Sequence, residues 1–410
     1  MRVDVTQGTA HDRLSLQELD LYHQITAYRA TFGLAPLPLS RALTATASRH
    51  VVDQRENLWG AGLELAPGTN LHSWSDAPYY SDHRDPTVMW NAPQRAGTDY
   101  PTAGYEISAA GFPTIEGALQ GWINSPGHNA VLTNTGAWAG LTFNAIGIGV
   151  ETAPGAGMFA GRIFHVWFGT TLDAEAPIIM GSDGADWIEG TAFRDRIGGG
   201  PGDDVIFGHG GDDEIRAGAG DDVLDGGPGN DALYGNLGDD FLYGGDGDDV
   251  LFGEDGNDRL WGEAGADTLY GGAGDDRLFG GDGDDALFGG PGADILLGGA
   301  GRDTMTGGPG ADLFVFLAAS DSLPGASRRD VILDFEAGID RIDLSRIDAV
   351  PATPGDDAFR FIGTAAFSGS AGELRYNGLV VQADLTGNGL TDLAIELRGG
   401  ATLTADDFIL

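Results

Sequence analysis

The chain of 410 residues contains no cysteine and no lysine. Without cysteine it has no disulfide, no thiolate metal site and no thiol nucleophile, so its fold depends on apolar packing and on oxygen or nitrogen ligands. Without lysine, all 22 basic residues are arginine; they face 62 acidic residues, and the net charge is −40. The basic face that would neutralise phosphates is missing, which excludes nucleic acid as a partner. No apolar run approaches the ~18 residues of a membrane-spanning helix, so no transmembrane segment is expected. The opening stretch MRVDVTQGTAHDRL lacks the apolar core of a signal peptide, and none is expected there. The chain also has no H-E-x-x-H, no G-x-S-x-G and no phosphate-binding loop.

What is present is uneven. Residues 1–172 carry 14 acidic residues and 9 arginines, a net of −5, whereas residues 173–410 carry 48 and 13, a net of −35. Within the acidic part, residues 181–315 follow one unbroken nine-residue period, as in GGPGNDALY (226–234), GGDGDDVLF (244–252) and GGAGDDRLF (271–279). Position six is aspartate in all fifteen blocks: Asp186, Asp195, Asp204, Asp213, Asp222, Asp231, Asp240, Asp249, Asp258, Asp267, Asp276, Asp285, Asp294, Asp303 and Asp312. Position eight is a large apolar residue in every block, from Ile188 through Leu251 to Phe314. A disordered acidic tract requires neither regularity.

Glycines at positions one, two and four allow positive φ and a tight turn. Positions seven to nine give a three-residue strand, with position eight on one face and its neighbours on the other. Two blocks then make one coil, and the whole segment stacks into a parallel β-roll about 35 Å long at ~4.8 Å per strand. Its core is the column of position-eight side chains, and its aspartates stack along the turns. The segment holds 31 acidic residues against 6 arginines. Like charges about 4 Å apart repel by about 1 kcal/mol per pair even in water. Hard cations with oxygen ligands relieve that repulsion, and Ca²⁺ fits better than Mg²⁺ because its geometry is flexible.

The nonapeptide resembles the calcium-binding repeat of RTX (hemolysin-type) proteins across the whole segment. RDVILDFEAGIDRIDLSRIDA (329–349) and the ending LTADDFIL (403–410) resemble the serralysin-type C-terminal secretion domain. The resemblance implies multiple bound Ca ions, export by the type I secretion machinery, and an extracellular, bacterial location. Alternation in ELRYNGLVVQADL (373–385) predicts antiparallel strands. The segment Asp384 to Asp392 reads as a hairpin turn rather than a further calcium loop, because it lacks the acidic twelfth position of an EF-hand.

The first 172 residues read as a mixed α/β layered domain. A helix is predicted over 15–33, a second from Ser40 to about Leu58, a third over 114–124 ended by Pro126, and strands from Trp138 to Val150 and from Met158 to Phe168. In order, the motifs ELDLYHQITAYRATFGLAPLPLS, GYEIS, WINSPGHNAVL, IGIGV and FHVWFG resemble the CAP (SCP-like) superfamily. That resemblance implies an α/β/α sandwich and a pocket with His72, Glu106 and His128, suited to Zn or another divalent metal. Ser125 stands where the family's second glutamate is expected. His83 is a rival to His72, and His50 reads as a packed or surface histidine.

The expected organisation is therefore a CAP-like domain (1–172), an RTX β-roll (173–315) and a C-terminal secretion domain (316–410). The expected function is a secreted calcium-binding protein with a ligand-binding or interaction domain, whose candidate partners are lipid, polysaccharide or a cell surface. Two alternatives stay open: a metal-dependent hydrolase or protease acting through His72, Glu106 and His128, and an extracellular structural or adhesive protein. An enzymatic role is not assigned.

Overall fold

A computed structural model describes residues 13–52, 104–110, 112–139, 141–151, 163–169, 177–352, 357–399 and 402–410. Two compact units divide the chain, Met1–Gly181 and Ser182–Leu410.

In the first unit, strand β1 (Leu14–Ser15) leads into helix α1 (Leu16–Ala30). Ser15 and Glu18 cap the start of α1 reciprocally, which satisfies backbone donors that the helix itself cannot. Helix α2 (Arg41–Val52) is capped as the sequence predicts, with the Leu43 amide donating to Ser40 Oγ at 3.1 Å. Strands β2 (Gly104–Ala110), β3 (Ala145–Glu151) and β4 (Ile163–Gly169) form an antiparallel sheet in the order β2-β4-β3. Strand β5 (Ile178–Met180) pairs in parallel with β1. Helix α3 (Ile115–Asn124) is followed by α4 (Pro126–Leu132). Pro126 thus opens a second short helix rather than simply ending the first, because a proline at the first helical position gives up no hydrogen bond. Trp138 lies in a 3₁₀ turn, so β3 begins seven residues later than the apolar run suggests.

Gly147 and Gly149 of β3 set the depth of this unit. A Cβ on Gly147 would run into the Leu43–Thr44 backbone of α2, and one on Gly149 into the Ala47–Ser48 backbone. The G-x-G spacing therefore lets α2 lie directly on one face of the sheet. On the other face, the Arg29 guanidinium of α1 sits over the Phe168 ring and donates to the Leu132 carbonyl at 2.8 Å.

The second unit is a parallel β-solenoid. Successive strands alternate between two sheets, and each pairs with the strand 18 residues further on: Leu224 with Leu242, Leu233 with Leu251, Leu242 with Leu260. Two blocks per coil, the position-eight column and the roll architecture are all found. From Ile188 to Phe314 those position-eight side chains are fully buried.

Two local expectations need correction. Most strands are six residues long, as in Val223–Pro228, because the ladder continues through the glycines of the next block. Positive φ occurs at positions two and four, as at Gly245 (112°) and Gly247 (141°), but not at position one. Position one is glycine in fourteen of the fifteen blocks for want of space, with Ala217 as the exception. A Cβ on Gly244 would collide with Asp249 Oδ2 and with the Gly262 carbonyl. Where position two is not glycine, the backbone still turns left-handed at His209, Asn236, Glu254 and Glu263, but not at Ser182 and Thr191 of the first two blocks.

Beyond Val315 the coil persists without the repeat. Val331–Ile332 pairs in parallel with Thr304–Thr306, and Arg341–Asp343 with Leu313–Val315. Antiparallel strands Glu373–Tyr376 and Val380–Asp384 follow, as the alternation predicts, and Leu393–Leu397 adds a third beside Val380–Asp384. The loop after Asp384 is a hairpin turn. Its amides at Gly387, Asn388 and Gly389 donate to the Asp384 carboxylate, and those of Leu385 and Thr386 donate to Asp392.

Candidate functional site

The position-six aspartates lie at the mouth of each turn, just before the strand whose position-eight residue enters the core. From Asp195 to Asp312 they are buried. One oxygen of each is used by the fold. The Asp222 amide donates to Asp240 Oδ1 at 2.8 Å, the Asp240 amide to Asp258 Oδ1 at 2.8 Å, and the pattern repeats along both rows. The other oxygen is not. From Asp204 to Asp312, every Oδ2 is buried without a hydrogen-bond partner.

Such atoms are costly, and the cost appears in the proton affinities. Burial first, then the neighbouring carboxylates, push Asp213 up to about 8 and Asp240, Asp249, Asp258, Asp285 and Asp294 up to about 7. A bound cation removes the same penalty. The donor set suits Ca²⁺: buried carboxylate oxygens beside backbone carbonyls, with no side chain at position one to fill the space between Asp249 Oδ2 and the Gly262 carbonyl.

The two N-terminal members of the row differ. The Ser182 amide donates to Asp186 Oδ2 at 2.6 Å and the Thr191 amide to Asp195 Oδ2 at 2.5 Å. In these blocks position two supplies a proton donor to the oxygen that is bare elsewhere.

A second cluster lies in the first unit. Register sets it up: Ser108 pairs with His165 and His165 with Gly149, while Glu106 pairs with Trp167 and Trp167 with Gly147. All these residues share the sheet face on which α2 lies. His50 follows Leu43 and Ala47 along the helix stripe that the two glycines admit. It stacks on His165 with ring centroids 4.2 Å apart, and its Nδ1 lies 3.3 Å from Glu106 Oε1. His165 Nδ1 also contacts Glu106 Oε1 and lies 2.8 Å from Ser108 Oγ. Both histidines and the glutamate are buried, and one ligand atom from each lies within 4.8 Å of the others. Two imidazoles and a carboxylate are a donor set for Zn²⁺ or a similar divalent ion.

Of the pocket residues expected from sequence, Glu106 is in this cluster. His128 stands half-buried on α4 outside it, Ser125 is the residue between α3 and α4, and His72 and His83 lie outside the described residues. His50 and His165 were not singled out as ligands. The available signal was a lone histidine inside the apolar strand IFHVWFG, which faces α2 by the same alternation that places Gly149.

Residues 188–410 match the family described as Peptidase M10 serralysin C terminal. Among solved structures, the chain is similar to the R3 and R2 subunits of a mannuronan C5-epimerase from Azotobacter vinelandii. They are 29% and 28% identical, cover 40% and 42% of this chain and 78% and 91% of their own, and have TM-scores of 0.25 and 0.27. It is also similar to an extracellular lipase from Serratia marcescens, 17% identical over 58% of this chain and 41% of that one, with a TM-score of 0.24.

Proposed function

Because this chain belongs to the Peptidase M10 serralysin C-terminal family through more than half of its length, we propose that it is a secreted calcium-binding protein, exported by a type I system and folded by extracellular Ca²⁺. The peptidase in the family's name is not implied, since the chain has no H-E-x-x-H. The observation that carries the reading is the register of bare, buried Oδ2 atoms from Asp204 to Asp312. The first unit is read as a CAP-like ligand-binding or interaction module, on the order of its motifs and on helices that cover both faces of a three-stranded sheet. In this reading Ca²⁺ neutralises the carboxylate rows, and the roll forms only as they fill, because binding confined to the folded state is folding free energy. The full chain in EGTA then shows little β signal by circular dichroism and gains it cooperatively as calcium approaches the millimolar range. A β signal of equal strength in EGTA and in calcium sinks the proposal.

A second reading, a metal-dependent hydrolase, is supported by the convergence of His50, Glu106 and His165. Protein exchanged against Zn²⁺ and then freed of loose metal retains one equivalent that His165→Ala loses, with the roll still folded in calcium. Retention of no zinc by the unaltered chain removes this reading.

A further inference from the structure

We propose that the cation-binding rows extend one rung beyond the nonapeptide repeats, to Asp330, and that the ion held there fastens the C-terminal segment to the roll. The proposal rests on the calcium reading above.

Three features define an ordinary rung. The amide of one position-six aspartate donates to Oδ1 of the next, as Asp285 does to Asp303 at 2.9 Å. The residue after the second aspartate donates to the carbonyl of the first, as Thr304 does to Asp285 at 2.8 Å. The second Oδ2 is left buried and bare, as in Asp303. Asp330 has all three, although it lies 27 residues after Asp303 rather than 18. The Asp303 amide donates to Asp330 Oδ1 at 2.9 Å, Val331 donates to the Asp303 carbonyl at 2.8 Å, and Asp330 Oδ2 is buried without a hydrogen-bond partner. Asp330 itself is 0% exposed. The nine extra residues leave as a loop and return the chain to the register of the row.

The other row ends differently. Asp340 accepts the Asp312 amide on Oδ1 at 3.0 Å, but its Oδ2 accepts the Glu336 amide at 2.7 Å. That donor lies four residues earlier, just as Ser182 and Thr191 precede Asp186 and Asp195. An N–H aimed at Oδ2 takes the place of the cation. Asp186, Asp195 and Asp340 therefore close their turns by hydrogen bonding, and the ion-binding set runs from Asp204 to Asp312 and on to Asp330.

Asp330 is wired to the C-terminal strands. Its amide donates to Ser322 Oγ at 2.8 Å, and that hydroxyl donates to the Ala394 carbonyl at 2.6 Å. The Glu396 amide donates to the Asp330 carbonyl at 2.9 Å. An ion between Asp303 and Asp330 thus holds the loop at Ser322 and the strand Leu393–Leu397 in place.

The experiment counts calcium bound to the full chain by equilibrium dialysis and follows hydrogen exchange in residues 322–334 and 393–397. Asp330→Asn keeps the Oδ1 acceptor and removes the charge. It binds one ion fewer than the unaltered chain, and the two segments become protected only at several-fold higher calcium. Asp340→Asn and Asp195→Asn keep the full count. An unchanged count in Asp330→Asn, or the same loss in Asp340→Asn, overturns the proposal. If Asp330→Asn does not fold, the unaltered chain decides: segments 322–334 and 393–397 already protected in EGTA mean that no ion fastens them. An unaltered chain that binds no calcium refutes the broader reading instead.

Discussion

Gly149 decides how near α2 comes to the sheet, and so whether His50 reaches His165 and Glu106. Gly149→Ala forces a methyl group against the Ala47–Ser48 backbone. Overpacking of this kind costs about 1–3 kcal/mol. In saturating calcium, the melting of the first unit, followed by near-ultraviolet dichroism, shifts down accordingly; an unchanged transition means that the helix has room to spare. In the roll, Leu251→Ala empties a fully buried position at a cost of about 2–5 kcal/mol and raises the calcium needed for folding. The two substitutions also mark what the sequence discloses. Leu251 is legible because its column repeats every nine residues. The His50–Glu106–His165 cluster is only partly legible: Glu106 stands in a recognisable motif, but the histidines meet it through the pairing of β2 with β4 and the path of α2. No one-dimensional period encodes either.

At the scale of elements, the position-nine aromatics form two columns. Tyr234, Phe252, Tyr270 and Phe288 stack at 4.9 Å with interplanar angles of 7°, 3° and 9°, and Tyr243, Trp261 and Phe279 at 4.7 and 5.2 Å. Arg216 covers Tyr234 at 3.9 Å and closes that end of the first column. Rings stacked this closely cover one another's faces and turn their rims to solvent, so a sugar has no ring face within a column to lie on. Stacking of this kind favours the regular strands that carry it. Trp261→Ala removes three ring contacts, with Tyr243, Phe279 and Phe241, of about 0.5–1.5 kcal/mol each and raises the calcium midpoint without changing the number of ions bound; a midpoint that stays put assigns the column no part in folding. The order of these columns follows from the 18-residue coil and could be written down from sequence. The length of the strands could not, since their second half is the glycine-rich start of the next block, which propensity assigns to turns. Nor could the difference between Asp195 and Asp204, which depends on whether an amide four residues back reaches Oδ2.

For the whole molecule, pH and calcium act on the same oxygens. The aspartates from Asp213 to Asp312 are raised from 3.8 to between about 6 and about 8 by burial and by one another. A raised carboxylate stabilises the fold when protonated. That stability is complete below the unfolded value near 4 and is lost as pH rises through 6 to 8. In EGTA the chain therefore shows more β signal at pH 5 than at pH 8, and calcium restores the signal at pH 8; equal signals at both pH values in EGTA would contradict the carboxylate account. The family match over residues 188–410 carries a further expectation: a chain cut at Arg346 is not exported by a type I system, whereas one lacking residues 1–172 is, and export of the cut chain would refute it. One more consequence lies in the register itself. Every rung of the solenoid offers the same backbone donors and acceptors to the next, so nothing inside the stack fixes its length. Termination is left to the strands Val331–Ile332 and Arg341–Asp343 and to what covers them. A chain reduced to residues 182–315 would present open sheet edges at both ends of the stack to its own kind. In calcium it should grow end to end into fibres whose length rises with protein concentration and which fall apart in EGTA. The C-terminal segment is thus also the full stop that keeps a self-templating surface from reading on into its neighbour.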